Sequence, residues 1–323
     1  MKKRKILITL ELNEDQKKSF MDNINEFTFK RQADLNETDV VTAEIIIGNI
    51  PLNYLDHITK LEYIHLFMAG SDNFANHPMI KNKVLLTNST GCFGLAISEH
   101  MLSNVLFFYK KLNLYYNNQL HAKWQSEGDI RSIYGAKVLV VGLGDIGNNF
   151  AQRMYQLGAI VTGIKRTVGQ KPDYLANLYQ MDKLDECLKE ADIVALSLPN
   201  SPETFHIINQ ERLAMFKQDA LLINVGRGTA IDSKALYNTL VTNPEIKAAL
   251  DVFEEEPLPS SSQLWQLPNI LITPHISGAR NLAYTNQKLL ELALANLKAY
   301  LADKPLTNVV DYKTGYRKSN QNV

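Results

Sequence analysis

Residues 136–147 read AKVLVVGLGDIG, an apolar run that ends in glycines at positions 142, 144 and 147. The run is short and valine-rich, as in a strand buried on both faces. Ile146, Phe150, Met154 and Leu157 then recur at helical spacing, so the glycines sit where a strand hands over to an amphipathic helix. Glycine at 142 permits the tight turn, glycine at 144 lets a bound group approach the backbone, and glycine at 147 lets helix and strand pack closely. A helix that starts there aims unpaired N–H groups and the positive end of its dipole over the turn. Gly142, Gly144, Asp145, Ile146 and Gly147 are therefore the expected cradle for the pyrophosphate of a dinucleotide. Asp145 is an acid where a phosphate is expected, so its side chain should point outward or cap the helix.

In such a unit the next strand carries an Asp or Glu about twenty residues on, bonded to the adenosine ribose. Here that strand ends in VTGIKRT, which puts Lys165 at the position, with Arg166 and Thr167 beside it. A carboxylate would repel a 2′-phosphate, whereas a lysine and an arginine attract one, the guanidinium in a bidentate way. NADP(H) is the favoured cofactor, with NAD(H) possible.

Strand-like and helix-like segments alternate along the whole chain. KILITL, AEIIIGN and LEYIHLFMAG read as strands of a first series, with EDQKKSFMDNI and PLNYLDHIT as helices between them. A second series runs through VLVVGLGDIG, AIVTGIK, DIVALSLP, ALLINVGRG, IKAALDV and NILITPH. Such alternation gives parallel sheets with crossover helices. Two long helices bracket the second series. One is AISEHMLSNVLFFYKKLNLYYNNQL, and the other carries Leu290, Leu294, Leu297 and Leu301. The expected fold is α/β, with two Rossmann-like or flavodoxin-like doubly wound parallel-sheet domains. A discontinuous substrate-binding domain takes residues 1–98 and 281–323. An NAD(P)-binding Rossmann domain takes 99–280, with a cleft between the two. The polar tail after Val310 should fray.

With 34 basic and 34 acidic residues the net charge is zero, which gives no electrostatic reason to expect nucleic acid or a membrane surface as partner. Two cysteines, Cys92 and Cys187, are too few for a disulfide framework and fit a reducing cytoplasm. The apolar run after the basic start is too short for a secretory signal, and no stretch reaches the roughly twenty apolar residues of a membrane span. His57, His65, His77, His121 and His206 are scattered without metal-ligand spacing, so no metal is expected, and His100 reads as a structural residue on a helix.

Three further stretches place polar residues at strand ends, where open α/β sheets put their ligands. They are INVGRGT with Arg227, LDVFEEEPLP with Asp251 to Glu256, and ITPHISGA with His275. Arg227, between Gly226 and Gly228, can offer a planar fork to a carboxylate or a polarised carbonyl. A glutamate within reach of His275 would orient the ring and stabilise its charged form, making it a candidate general acid. Each residue alone has a structural explanation, but three in order at the strand ends of one sheet point to chemistry.

The motifs GLGDIG, LPNSPETFHIIN, INVGRGTAID, ALDVFEEEPLP and TPHISGA match, in order and spacing, those of the D-isomer-specific 2-hydroxyacid dehydrogenases, and the chain resembles that family over nearly its whole length. The resemblance implies a two-domain enzyme, usually dimeric, that interconverts 2-keto acids and D-2-hydroxy acids. By the same resemblance Arg227 binds the substrate carboxylate and carbonyl oxygen, His275 is the acid/base, and Glu256 pairs with it. Asp251 matches an acid near the nicotinamide. Ala69, Gly70 and Ser71 match the substrate loop whose N–H groups hold the carboxylate. Leu198, Pro199, Asn200 and Val225 match positions lining the cofactor, and Thr90 with the start of the AISEHML helix matches the wall of the cleft. Basic residues at the second strand tip resemble the subgroup of NADPH-dependent glyoxylate and hydroxypyruvate reductases, which implies a reductive role. The expected partners are a small 2-keto or 2-hydroxy acid and a second copy of the chain, with Trp124 and the tyrosines of LNLYY as candidates for the dimer surface. Met68 and Phe93 are candidates for shaping the substrate pocket. Cys92 reads as a packed small side chain. The alternative is a nucleotide-binding sensor or corepressor on the same fold, since fold does not dictate chemistry. A closer rival is a dehydrogenase for another small substrate such as formate.

Overall fold

A computed structural model describes residues 3–278 and 282–317. The chain divides into two compact units, one formed by Met1–Cys92 with Arg280–Val323 and the other by Phe93–Ala279. The first join falls six residues before the expected 98/99, because a boundary there would cut a continuous helix in two. The expected join at 280/281 lies outside the described residues.

In the first unit, strands β1 (Lys5–Ile8), β2 (Glu26–Phe29), β3 (Ile45–Ile47), β4 (Tyr63–His65) and β5 (Leu85–Thr87) make an all-parallel sheet in the order β2-β1-β3-β4-β5. Helices α1 (Glu14–Phe20), α2 (Glu37–Thr42) and α3 (Asp72–Asn76) lie between strands. Both α1 and α2 start with a capping box, Asn13 with Gln16 and Asn36 with Asp39, which satisfies otherwise unpaired N–H groups. The expected helix in PLNYLDHIT is a single 3₁₀ turn, Leu52–Leu55. Ile45, Ile46 and Ile47 are fully buried, as expected of a central strand covered on both faces.

The second unit begins with α4 (Gly94–Tyr109) and α5 (Leu112–Leu120). These are the single long helix of the sequence reading broken in two, because Lys111 stands in the left-handed region at φ 55°. Strands β6 (Lys137–Val141), β7 (Ile160–Ile164), β8 (Asn177–Tyr179), β9 (Ile193–Leu196), β10 (Leu221–Asn224), β11 (Lys247–Leu250) and β12 (Ile270–Ile272) form an all-parallel sheet in the order β12-β11-β10-β9-β6-β7-β8. The crossovers carry α6 (Asp145–Gln156), α7 (Leu184–Glu190), α8 (Gln210–Leu213) and α9 (Ser233–Thr242). Strand order reverses between β6 and β9, the crevice where doubly wound sheets bind ligands. Phe150 and Met154 of α6 are fully buried as the helical spacing predicts, each stabilising the packing by roughly 1.5–3 kcal/mol. Leu157, read as part of the same stripe, is 45% exposed because it lies at the C-cap, beyond the last helical turn.

The chain returns to the first unit through α10 (Ala283–Leu301). Its buried stripe is Thr285, Leu289, Ala293, Asn296 and Leu297, rotated from the leucines read off the sequence, of which only Leu297 is fully buried. Tyr300 stacks on Tyr63 with ring centroids 4.6 Å apart and donates to Glu62 Oε2 at 3.2 Å, which ties the two separate segments of the unit together. The tail after Val310 does not fray over the described residues. It makes a short hairpin, β13 (Val310–Asp311) with β14 (Tyr316–Arg317), whose Gly315 carbonyl accepts the buried Ser71 hydroxyl at 2.7 Å. No helix among the described residues is long and apolar enough to cross a membrane.

His65, at the end of β4, is fully buried among Thr87 Oγ1 at 2.8 Å, Ser89 Oγ at 3.3 Å and Asn296 Nδ2 at 3.4 Å. Burial pushes its imidazole down from 6.5 to about 3. The folded state therefore disfavours protonation. His65 costs nothing above pH 6.5, and as pH falls below that value stability is lost at about 1.4 kcal/mol per pH unit. Between pH 6.5 and 5 the loss should reach roughly 2 kcal/mol. Urea unfolding across this range should show a slope in the first unit's transition that His65→Gln removes, and an unchanged slope in the variant would disprove the assignment.

Candidate active site

The turn after β6 has the geometry a pyrophosphate requires. Gly142 stands at φ 97°, and a Cβ there would lie 2.7 Å from the Ser197 carbonyl oxygen, so only glycine fits. A Cβ on Gly147 would overlap the Gly142 carbonyl oxygen, which is the close helix–strand contact expected. A Cβ on Gly144 would meet nothing within 4 Å, so the face toward a ligand is open. Asp145 does not point over the turn. Its Oδ1 accepts from Asn149 Nδ2 at 3.2 Å, and a side chain on Gly94 would collide with it, so it lies against α4. Ile146 follows in the first turn of α6. These residues fit a dinucleotide.

Lys165, Arg166 and Thr167 are exposed at the tip of β7. Lys165 N–H completes the ladder to Tyr179 O at 3.0 Å, which fixes the start of this segment. The Glu203 carboxyl is held below the usual range, chiefly by its hydrogen bond to Ser201, and Arg166 adds an attractive charge. The loop after β9 thus comes near the cationic tip. Leu198 is buried, Pro199 partly so and Asn200 exposed. Pro199 O accepts from Thr204 Oγ1 at 2.6 Å, and Asn200 Oδ1 accepts from Thr229 Oγ1 at 3.0 Å. Val225, at the end of β10, is 6% exposed.

Arg227 opens a 3₁₀ turn, Gly228–Ala230, after β10. Asn224, fully buried, holds it from below. Its Nδ2 donates to Arg227 O at 2.9 Å and its Oδ1 accepts Gly226 N–H at 3.1 Å. Arg227 Nη1 donates to Gly226 O at 2.9 Å. A Cβ on Gly228 would overlap the Phe253 carbonyl, so the turn seats directly on the loop after β11.

That loop carries Glu256, and the loop after β12 carries His275. The structure brings them together, with His275 Nδ1 and Glu256 Oε2 2.7 Å apart. Glu256 Oε1 accepts Phe253 N–H at 2.9 Å, which sets the carboxylate's orientation. His275 stands at φ 52°, and its N–H donates to Asp251 O at 2.9 Å. The Asp251 carboxylate, 1% exposed, is taken up by the same loop. It accepts Thr273 Oγ1 at 2.6 Å, Ile276 N at 2.9 Å, Ser277 N at 3.0 Å and Ser277 Oγ at 2.5 Å. Thr273 Oγ1 also meets His100 Nε2 at 3.4 Å. Burial lowers the His100 imidazole, and Asp251 partly opposes the shift. Asp251, expected from the resemblance to lie near the nicotinamide, clamps the His275 loop through its hydrogen bonds. Asn224, Thr273, Ser277 and His100 were not singled out as functional. The signal for Asn224 was available, since it is the one polar side chain in the buried run LLIN.

In the first unit, Ala69 O accepts from Asn88 Nδ2 at 2.8 Å, which also meets the Ser71 hydroxyl at 3.2 Å. Gly70 lies between them, partly buried. Thr90 N–H donates to Asn88 Oδ1 at 3.2 Å, and Thr90 O accepts from Asn308 Nδ2 at 2.6 Å.

Comparisons with known proteins bear on the family. The family model described as "D-isomer specific 2-hydroxyacid dehydrogenase, NAD binding domain" matches residues 102–277. A glyoxylate/hydroxypyruvate reductase B of Serratia proteamaculans is 32% identical over 279 residues, covering 83% of this chain and 84% of that protein. The crystal structure of a D-isomer specific 2-hydroxyacid dehydrogenase family protein from Aeromonas salmonicida superposes with a TM-score of 0.85 at 28% identity, over 96% of this chain and 99% of that one. A D-isomer specific 2-hydroxyacid dehydrogenase of Xanthobacter autotrophicus, solved in complex with NADPH and MES, superposes with a TM-score of 0.80 at 26% identity, over 97% and 100%. The turn after β6, the histidine–glutamate pair and these matches converge, and the chain belongs to the D-isomer-specific 2-hydroxyacid dehydrogenase family.

Proposed function

We propose that the protein reduces a 2-keto acid to the D-2-hydroxy acid with NADPH. The observation that carries this reading is the His275–Glu256 pair, 2.7 Å apart at the strand ends of the sheet that also bears the Gly142–Gly147 turn. The Gly142–Gly147 turn would hold a nicotinamide cofactor, which would supply hydride chemistry. Leu198, Pro199, Asn200 and Val225 are the further residues that would hold it, and Asp251 would serve it indirectly by fixing the loop that carries His275. His275 is placed to give a proton from Nε2 to the carbonyl oxygen of the substrate, while Glu256 on Nδ1 orients the ring. Arg227 offers its guanidinium to the carboxylate and to the oxygen on which charge develops. In the loop Ala69, Gly70 and Ser71, the Ser71 hydroxyl is spent on Gly315 O. By the family resemblance, the loop's main chain is the element that would meet a substrate carboxylate.

The test is initial-rate oxidation of NADPH and of NADH over a panel of 2-keto acids from glyoxylate and hydroxypyruvate to branched and aromatic members. Turnover with at least one, faster with NADPH, is expected, and no turnover with any would overturn the reading. The 2′-phosphate preference rests on Lys165 and Arg166, with Thr167 as an added donor, and the NADPH complex of the Xanthobacter protein supports it. One charge-assisted hydrogen bond contributes about 1.5–3 kcal/mol, so Arg166→Glu should raise the KM for NADPH roughly 10- to 100-fold and leave that for NADH nearly unchanged. Equal changes for both cofactors would disprove the assignment.

The proposed assembly is a homodimer. Tyr116, Leu120 and Trp124 are 61%, 64% and 105% exposed on one segment, an apolar surface of the kind that marks an interface. Sedimentation velocity should give about twice the 36.5 kDa chain mass, and a single 36.5 kDa species would refute it.

A further inference from the structure

Glu256 is not the only carboxylate of its loop that holds a histidine. Two residues earlier, Glu254 Oε1 lies 2.6 Å from His206 Nε2, and its Oε2 accepts Ser233 N–H at 2.9 Å at the start of α9. Partial burial would raise this carboxyl, but hydrogen bonds from Ser233 and His206 outweigh burial and hold it below the usual range. His206 itself stands at φ 47°, a conformation that costs a residue with a Cβ and persists where surrounding contacts impose it. Those contacts are specific. His206 N–H donates to Thr229 O at 2.8 Å, and Ile208 N–H donates to Ala230 O at 3.0 Å. The Phe205 ring stacks on the imidazole at 4.0 Å between centroids.

Three loops therefore meet at one hydrogen-bonded pair. They are the segment from Asn200 to Ile208 after β9, the segment from Arg227 to Ser233 after β10, and the segment from Phe253 to Glu256 after β11. The second carries Arg227, and its Gly228 rests on the Phe253 carbonyl. The third carries Glu256, whose carboxylate is oriented by Phe253 N–H. Neither His206 nor Glu254 has a part in the chemistry proposed above.

We infer that His206 and Glu254 are a positioning pair, which locks the loops bearing Arg227 and Glu256 in register and so sets turnover without touching the substrate. The inference rests on the function proposed above. A small misplacement of reacting groups can cost up to about a hundredfold in rate. Here His206→Leu in the full-length protein should lower kcat roughly tenfold, while the Kd for NADPH, read by nicotinamide fluorescence, changes by less than about twofold. His206→Gln can place an amide N–H toward Glu254 and should recover most of kcat. Glu254→Gln keeps an oxygen for Ser233 N–H, loses the charge, and repeats the test from the other side should His206→Leu fold poorly. Hydrogen exchange in His206→Leu should rise in residues 227–233 and 253–256 as well as in 205–207.

Unchanged kcat in His206→Leu, equal impairment of the leucine and glutamine variants, or faster exchange confined to 205–207 would each overturn the positioning role. A wild-type protein that reduces no 2-keto acid overturns the functional reading instead, and the two failures are separate in the data.

Discussion

Replacement of His275 by glutamine is expected to lower kcat by about 10²–10⁴, equivalent to roughly 3–5 kcal/mol of transition-state stabilisation. Glutamine keeps a polar group near Glu256 but cannot hand over a proton at neutral pH. The oxygen on which charge develops would then have only Arg227 and solvent to neutralise it. NADPH affinity should stay close to wild type, because the cofactor turn after β6 and the strand tip at Lys165 are untouched. Glu256→Gln should cost less than His275→Gln. It leaves the imidazole in place and removes the anion that now sits 2.7 Å from Nδ1. Single-turnover rates with saturating NADPH separate chemistry from product release. A His275→Gln enzyme within threefold of wild type in that measurement would remove His275 from the mechanism.

Local sequence codes some of this arrangement well. The strand–turn–helix at Gly142 was legible because turn chemistry, burial and helical period all lie within twenty consecutive residues. The central strands were legible because a strand covered on both faces must be continuously apolar, as in Leu221 to Ile223 or Ile193 to Leu196. Two of the strands at the sheet margins were not. Glu26–Phe29 alternates exposed and half-buried residues, and Asn177–Tyr179 is three residues long. Neither carries the apolar run that identifies a central strand. The helix break at Lys111 has no glycine or proline to announce it.

The site divides in the same way. The strand ends gave His275 and a nearby acid, and the family resemblance singled out Glu256 as its partner. The clamp by Asp251 did not, because it depends on the β11–β12 register, which brings Asp251 to Ser277 across 26 positions. His65 and His206 look alike in sequence. Only packing distinguishes a fully buried imidazole from one that bridges two loops.

Arg227→Lys provides the second large effect, an expected loss of about 10²–10³ in kcat/KM. The substitution keeps the charge, so its cost isolates geometry. The backbone around Arg227 is tightly built. Asn224 bonds to both Gly226 N–H and Arg227 O, and a Cβ on Gly226 would lie 2.6 Å from Leu198 N and from Leu198 O. The loop therefore presents the side chain from a fixed base, and a lysine there would carry a single rotating ammonium instead of a planar fork. Loss of the paired contact to the carboxylate acts on substrate and transition state alike and raises KM. Loss of the contact to the developing oxyanion acts only on the transition state and lowers kcat. Both parameters should move, whereas the Kd for NADPH and the melting temperature should not. A rise in KM alone would confine Arg227 to binding the carboxylate. Wild-type kcat/KM in the lysine variant would show that a point charge suffices and that the fork has no part in the reaction.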